Sequence, residues 1–154
     1  MAVKSFQGPR AEVKKQTDAP LLVENIMTHN LVVFTPEQSI HEVMRDFIKH
    51  KISGGPVLDE KGALIGIISE ADLMKQISDS RYFNMPILDK SVSNFMSTTV
   101  ETIPSNLSIF EAASRFHKSK RRRFPVVKNG NLVGQISRKD IVIAVANMKS
   151  NTWR

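Results

Sequence analysis

The sequence lacks cysteine altogether. It therefore cannot form a disulfide, present a thiol nucleophile or hold a metal ion through thiolates. It also lacks an apolar run near the roughly 20 residues that a membrane-spanning helix needs. Residues 1–16 contain no apolar core of signal-peptide length. We therefore expect no membrane association and, by default, a cytoplasmic location.

The sequence also lacks the motifs that commonly carry catalysis. It has no Gly-rich phosphate-binding loop and no GxGxxG motif. Its four histidines do not have the spacing of a metal site; they are His29, His41, His50 and His117. We therefore expect no enzymatic activity, no catalytic residue, no metal ion and no required cofactor.

Positive charge, by contrast, is in excess. The 154 residues carry a formal net charge of +7, which favours anionic partners in general. The charge is concentrated at residues 118–123, where five of the six residues are Lys or Arg. Such a run is most often a solvated helix end, whose cations complement the negative pole of the helix dipole. Composition alone favours that interpretation.

One pattern occurs twice in the chain, opened by Met27-Thr28 in the first copy and by Met96-Ser97 in the second. We divide the chain into an N-terminal arm (1–21), a first repeat (22–78), a connector (79–91), a second repeat (92–148) and a C-terminal tail (149–154). A unit of about 55 residues is marginal alone. We therefore expect the two copies to share a core about a pseudo-twofold axis. The connector should carry a short helix or lie across the other repeat.

Each repeat is predicted to contain a strand, a helix, two further strands and a closing helix, which is an α+β fold with α/β-like order. The first strand ends near a proline, and a Ser-x-x-Glu capping box begins the helix. The predicted bounds in the two repeats are strand 31–34 and 100–103, helix 39–50 and 108–120, strand 56–58 and 125–127, strand 64–69 and 132–137, and closing helix 70 to about 78 and 138 to about 148.

Both repeats pass from their last strand into the closing helix through Gly-x-x-Ser-x-x-Asp, at Gly66, Ser69 and Asp72 and again at Gly134, Ser137 and Asp140. The glycine lets a ligand or another backbone approach the strand. The Ser suits a phosphate at a helix N-terminus, and the Asp can accept two hydrogen bonds from a ribose diol. Taken singly, each motif is better interpreted as a helix cap. Its recurrence at identical spacing favours a ligand site.

The basic run leads directly into the Phe-Pro-Val segment of the second repeat. Arg122 and Arg123 stand where the first repeat has Ser53 and Gly54. Arg binds phosphate through two parallel hydrogen bonds. The two repeats therefore differ in electrostatic character, and we expect the arginines to decide which cleft holds the more highly charged ligand.

The doubled pattern resembles a pair of cystathionine β-synthase (CBS) domains, also called a Bateman module. Its Met-Thr and Met-Ser openings, Gly-Pro-Val and Phe-Pro-Val segments and Gly-x-x-Ser-x-x-Asp motifs carry the resemblance, which covers residues 22–148. The resemblance implies two β-α-β-β-α repeats packed by a pseudo-twofold axis. It also implies two clefts that bind AMP, ADP, ATP, NAD or S-adenosylmethionine.

The resemblance also implies roles for individual residues. Asp72 and Asp140 would hold ribose hydroxyls, and Ser69 and Ser137 would contact phosphate. The base and sugar would be lined by Ile67, Ile68, Gln135 and Ile136, with Pro56, Val57, Pro125 and Val126 alongside. Arg122 and Arg123 occupy the place of a phosphate-binding His-Arg pair in the regulatory subunit of the AMP-activated kinase, which they resemble.

The expected function is that of a regulatory sensor for an adenosine-containing ligand. Members of this family commonly form homodimers, and this chain carries no attached catalytic or transport domain, so it is expected to act in trans on an unknown partner. Two alternatives stay open. One is nucleic-acid binding through residues 118–123, for which the run offers no interleaved aromatic residue except Phe124. The other is a ligand-free dimerisation module.

Overall fold

The computed structural model describes residues 21–83, 86 and 88–152. The predicted N-terminal arm, apart from its last residue, lies outside these residues. The elements are α1 (Val23–Ile26), α2 (Ile40–His50), β1 (Gly54–Leu58), β2 (Leu64–Ser69), α3 (Glu70–Phe83), a 3-10 turn (Val92–Asn94), β3 (Ile103–Pro104), α4 (Ile109–Ser119), β4 (Arg123–Lys128), β5 (Asn131–Ser137) and α5 (Arg138–Thr152). In the described part of the chain, no helix is long and apolar enough to cross a membrane.

The predicted hairpins and the helices α2 and α4 are present where the sequence indicates them. Strands β1 and β2 pair antiparallel, as do β4 and β5. The Ser39 hydroxyl accepts from the Glu42 backbone N–H at 3.2 Å at the start of α2. Helix α4 shows the full capping box, in which Ser108 and Glu111 each satisfy the other's backbone N–H. Both helices bury most of the apolar face that the 3.6-residue periodicity predicts, although Ile48 at the end of α2 is exposed.

The predicted first strands are much shorter than expected. In the first repeat only Phe34 pairs, in a parallel bridge to Val57, and in the second β3 has two residues beside β4. The Thr35 backbone N–H donates to the Gln38 side chain at 2.8 Å, so the chain turns away from the sheet there. The closing helices are longer than predicted, since α3 continues to Phe83 and takes in the start of the predicted connector.

The opening segments of the two repeats are exchanged. Val23 and Met27 belong to the buried cluster formed by β3, β4, β5, α4 and α5, whereas Val92 belongs to the cluster of the first repeat. The backbone repeats this exchange: Thr28 bridges Gln135, and Ser97 bridges Ile67. The end of the connector, at Ser91, bridges Ser39 at the start of α2. Each repeat therefore completes the core of the other, through reciprocal contacts of the kind that a pseudo-twofold axis requires.

The glycines of the duplicated motif make room for this exchange. A Cβ on Gly134 would lie 2.6 Å from Met27 Sδ and 2.9 Å from the carbonyl oxygen of Thr28. A Cβ on Gly66 would lie 2.8 Å from Met96 Sδ and 3.0 Å from the carbonyl oxygen of Ser97. Of the two predicted uses for these glycines, the close approach of another backbone is confirmed.

Candidate functional site

The two strand-to-helix junctions share two hydrogen bonds between their Ser and Asp residues, and the first junction has one more. Asp72 Oδ2 accepts from the Ser69 backbone N–H at 2.9 Å and from the Ser69 hydroxyl at 3.0 Å. Asp140 Oδ2 accepts from the Ser137 backbone N–H at 2.8 Å. In both copies the Ser hydroxyl also faces the backbone N–H of the Asp, at 3.4 Å and 3.2 Å. The helix-cap role of the motif is therefore real in both repeats, and it fixes each carboxylate at the mouth of its junction.

Arg123 reaches from the second repeat into the first. Its Nη2 donates to the Ser53 hydroxyl, and its Nη1 occupies the space that a side chain on Gly54 would need, 2.7 Å from a Cβ there. Burial lowers the pKa of the Arg123 guanidinium. The nearby Glu70 carboxylate acts to raise this pKa, and the Arg122 guanidinium acts to lower it further. Gly54 and Arg123 are the equivalent positions of the two copies, so the asymmetry noted in the sequence is a direct contact: the glycine of one copy accommodates the arginine of the other.

A first cleft of about 630 Å³ lies over the α3 junction. It combines Ser69, Glu70 and Asp72 of the first repeat with three arginines of the second. The full lining is Ser53, Ile67, Ser69, Glu70, Ala71, Asp72, Met74, Ser97, Thr99, Arg121, Arg122 and Arg123. Arg121 is held at one edge, where its Nε lies 3.0 Å from Glu101 Oε2. The cleft thus brings a carboxylate, a hydroxyl and guanidinium groups around one space.

A second cleft of about 490 Å³ lies over the α5 junction. It is lined by Lys51, Ile52, Ser53, Gly54, Arg122, Arg123, Gln135, Ser137, Arg138 and Lys139. Asp140 is not among these residues, although its counterpart Asp72 lines the first cleft. Ser53, Arg122 and Arg123 line both clefts, so the two spaces meet at the arginine pair.

The predicted site residues on the strands fall into two groups, because alternate side chains face either the clefts or the cores. Ile67 and Gln135 are half-buried and line the clefts, as do the serines two residues later. The side chains of Ile68 and Ile136 alternate to the opposite face and are fully buried in the two cores. Val57 and Val126 are also fully buried, and Pro56 and Pro125 are buried beside them. For Ile68 and Ile136 the core position leaves only backbone atoms for a ligand.

The cationic run at residues 118–123 does not form one continuous surface. Lys118 and Lys120 are exposed at the end of α4, whereas Arg121, Arg122 and Arg123 line the first cleft. The solvated helix-end interpretation therefore describes the lysines and not the arginines. This division gives the nucleic-acid alternative less support than the cleft interpretation.

Sequence reasoning missed the residues that distinguish the clefts. Inside the duplicated motif the first repeat has Glu70-Ala71 where the second has Arg138-Lys139, and these residues line the first and second clefts respectively. Alignment of the two motifs, Ser-Glu-Ala-Asp against Ser-Arg-Lys-Asp, would have identified them. Within the described residues, no group of three or more His, Cys, Asp or Glu side chains is placed to hold a metal ion.

Comparison with known proteins gives a family for this arrangement. The family model described as "CBS domain" matches residues 23–79 and 92–147. The inosine-5'-monophosphate dehydrogenase of Aquifex aeolicus is 36% identical over an alignment of 135 residues, which covers 84% of this chain but 26% of the enzyme. An uncharacterised protein of Methanocaldococcus jannaschii is 31% identical over 154 residues, covering 81% of this chain and 91% of the relative. The chain therefore spans about a quarter of the dehydrogenase that it matches.

Solved structures show the same fold. CBSX2, a CBS-pair protein of Arabidopsis thaliana solved in complex with AMP, superposes with a TM-score of 0.73 at 27% identity, covering 83% of this chain and 98% of that chain. The CBS domain pair of protein MJ0100, solved with 5'-methylthioadenosine and S-adenosyl-L-methionine, gives 0.73 at 25% identity, covering 84% and 98%. The predicted α+β fold class and the resemblance read from the duplicated motifs are confirmed.

Proposed function

We propose that this chain, which belongs to the CBS-domain family, is a regulatory module that senses an adenosine-containing nucleotide in the clefts between its two repeats. The observation that carries the proposal is the composition of the first cleft. The Asp72 carboxylate, a helix-terminal hydroxyl and three guanidinium groups line one space of about 630 Å³. Two CBS pairs of the same fold have been solved with AMP and with S-adenosyl-L-methionine.

The geometry of the first cleft supports a proposed role for each of its sides. Asp72 is fixed through Oδ2 by Ser69, which leaves Oδ1 free to accept from a ribose hydroxyl. Arg122 and Arg123 come from the opposite repeat and would bind phosphate as charged donors. Ile67 and Met74 supply apolar surface for a base. A ligand held in this way would contact both repeats at once, so its binding would favour one relative position of the two.

We extend the proposal to a non-catalytic module that acts in trans on a partner protein. We also propose that it works as a homodimer. Four large apolar side chains are exposed on the two closing helices: Met74, Ile77, Val142 and Ile143, with Val142 66% exposed. Association of these faces would remove apolar surface from water. Sedimentation equilibrium should show a dimer, and a monomer at every concentration would contradict this extension.

Thermal shift in the presence of AMP, ATP, NAD or S-adenosylmethionine tests ligand binding. A ligand at 100 times its Kd should stabilise the folded chain by about 2.7 kcal/mol. We expect a shift with at least one of the four. Asp72→Ala should abolish or strongly reduce the shift given by AMP, because it removes the proposed ribose acceptor. The absence of a shift with all four compounds would contradict the proposed function.

A further inference from the structure

The second cleft carries an uncompensated positive charge. Five of its lining side chains are cationic and none is a carboxylate: Lys51, Arg122, Arg123, Arg138 and Lys139. They come from three separate places, the end of α2, the entry to β4 and the start of α5. The nearest acidic group on the same helix is Asp140, whose Oδ2 accepts from the Ser137 backbone N–H. Glu70 acts on Arg123 from the side of the first cleft.

This arrangement opposes the electrostatic preference of the helix. The N-terminus of a helix carries a partial positive charge and favours acidic side chains in its first turn. Both helices have an Asp in the first turn, Asp72 in α3 and Asp140 in α5. Helix α3 adds Glu70 to it, whereas α5 begins with the cationic Arg138 and Lys139. Like charges that face one another across a cleft add further repulsion. A bound polyanion would remove both sources of repulsion.

The arginine pair cannot by itself distinguish the clefts. Arg122 and Arg123 line both spaces, so they offer the same guanidinium groups to a ligand on either side. The expectation that these arginines decide the location of the more highly charged ligand therefore needs correction. The difference comes from the remaining walls, where Glu70 and Asp72 face the first cleft and Lys51, Arg138 and Lys139 face the second.

We propose that the second cleft is a polyphosphate site, which takes the di- or triphosphate end of a nucleotide, and that Lys51, Arg138 and Lys139 set its preference over a monophosphate. This inference rests on the proposed nucleotide-binding function and specifies one of its two clefts. The first cleft, with two carboxylates beside its three arginines, suits a ligand of lower negative charge.

The chain supplies its own matched variants for a test. Arg138→Glu with Lys139→Ala gives the second cleft the residues of the first, and Glu70→Arg with Ala71→Lys makes the reverse exchange. Isothermal titration of the full chain with ATP, AMP and adenosine measures each variant. Sodium tripolyphosphate, which has no adenosine, is titrated in parallel. Circular dichroism and thermal unfolding check that each variant is folded.

We expect the first exchange to weaken ATP and tripolyphosphate binding by about tenfold or more. It lowers the net charge of the second cleft by three units, two from Arg138→Glu and one from Lys139→Ala. AMP should be affected less, and adenosine by less than about twofold. The reverse exchange should strengthen ATP binding at the first cleft. ATP and tripolyphosphate affinities within twofold of wild type in the folded first exchange would overturn the inference.

The two proposals fail in different ways. If the wild-type chain binds none of ATP, AMP, NAD, S-adenosylmethionine and adenosine, the proposed function itself is wrong. If AMP binds and Asp72→Ala weakens it, while the exchange leaves the ratio of ATP to AMP affinity unchanged, the proposed function stands and the polyphosphate assignment is overturned. A duplex oligonucleotide that loses affinity in the exchange while ATP does not would also overturn it, in favour of a nucleic-acid surface.

Discussion

The two clefts are built on the same backbone and differ in the charge of their walls. Each lies over a strand-to-helix junction capped by a Ser-Asp pair, and the strand before each junction is bridged by the opening segment of the other repeat. In the first cleft Glu70 and Asp72 face the arginines, and in the second Arg138 and Lys139 add to them. The repeated motif residues therefore fix positions, and we propose that the variable residues between them set the ligand preference of each cleft.

The two cores show the same relation between a common frame and different side chains. In the first repeat Phe34 covers Gly55, whose missing side chain leaves room for the ring. In the second repeat the positions are reversed, with Ile103 at the first position and Phe124 at the second. Both phenylalanines are fully buried. Each core thus contains two phenylalanine rings, one from α2 or α4 and one that comes from a different position in the two repeats.

The largest effect is expected from removal of these rings. Phe34→Ala and Phe124→Ala should each lower the free energy of unfolding by about 3–5 kcal/mol, because each leaves a cavity and breaks an aromatic pair. The Phe34 ring packs edge-on against Phe47 of α2, with 5.6 Å between the ring centroids. The Phe124 ring packs against Phe116 of α4, with 4.6 Å between the centroids. Urea unfolding followed by circular dichroism measures the loss.

The same experiment tests whether the exchanged segments unite the two cores. We expect a single cooperative transition in both variants, since each core contains an opening segment of the other repeat. Two separate transitions, with only the mutated repeat destabilised, would show that the repeats are independent folding units. Ile48→Ala is a suitable control, because Ile48 is 79% exposed on α2 and its loss should change stability little.

The next effect concerns binding. Asp72→Ala should weaken AMP by about tenfold or more, because a hydrogen bond to a charged acceptor contributes roughly 1.5–3 kcal/mol. Asp140→Ala should weaken it far less, since Asp140 does not line the second cleft. Titration calorimetry of the two variants measures this difference.

Stability provides the internal control for that comparison. Both carboxylates accept from the backbone N–H of their capping serine, at 2.9 Å and 2.8 Å. Loss of either cap should therefore cost a similar amount, about 0.5–2 kcal/mol. Equal losses of AMP affinity in the two variants would contradict the asymmetry and would support the symmetrical ribose-binding roles that the family resemblance implies.

Much of the fold could be predicted from the sequence because its signals are local. The N-cap serines Ser39 and Ser108, apolar periodicity and the Asn129-Gly130 turn each act within a few residues. The exchange of the opening segments could not be predicted in this way. Val23 and Val92 are equally apolar wherever they pack, and the bridges from Thr28 and Ser97 join residues far apart in the chain.

The residues that line the candidate clefts could be predicted in outline for the same reason, while their binding roles stay predictions. Ser69, Asp72 and the arginines follow from motif spacing, and strand alternation explains why Ile68 and Ile136 point into the cores instead. The meeting of Arg123 with Ser53 and Gly54 depends on the packing of one repeat against the other. No property of the separate motifs indicates that one arginine pair serves both clefts.

The smallest effect is expected at the edge of the first cleft, where Arg121 pairs with Glu101. The aligned residues of the first repeat, Ile52 and Val32, form no such pair. The side chains of Arg121 and Glu101 are 37% and 44% exposed, so Glu101→Gln should change the free energy of unfolding by less than about 0.5 kcal/mol. It should nevertheless raise AMP affinity by about twofold, because the carboxylate no longer neutralises a guanidinium that lines the cleft.

The opposite change in charge, Arg121→Gln, should lower AMP affinity. Neither change should alter tripolyphosphate binding much, since neither residue lines the second cleft. Shifts of AMP affinity in the same direction in both variants would show that the pair acts through structure and not through the charge of the cleft.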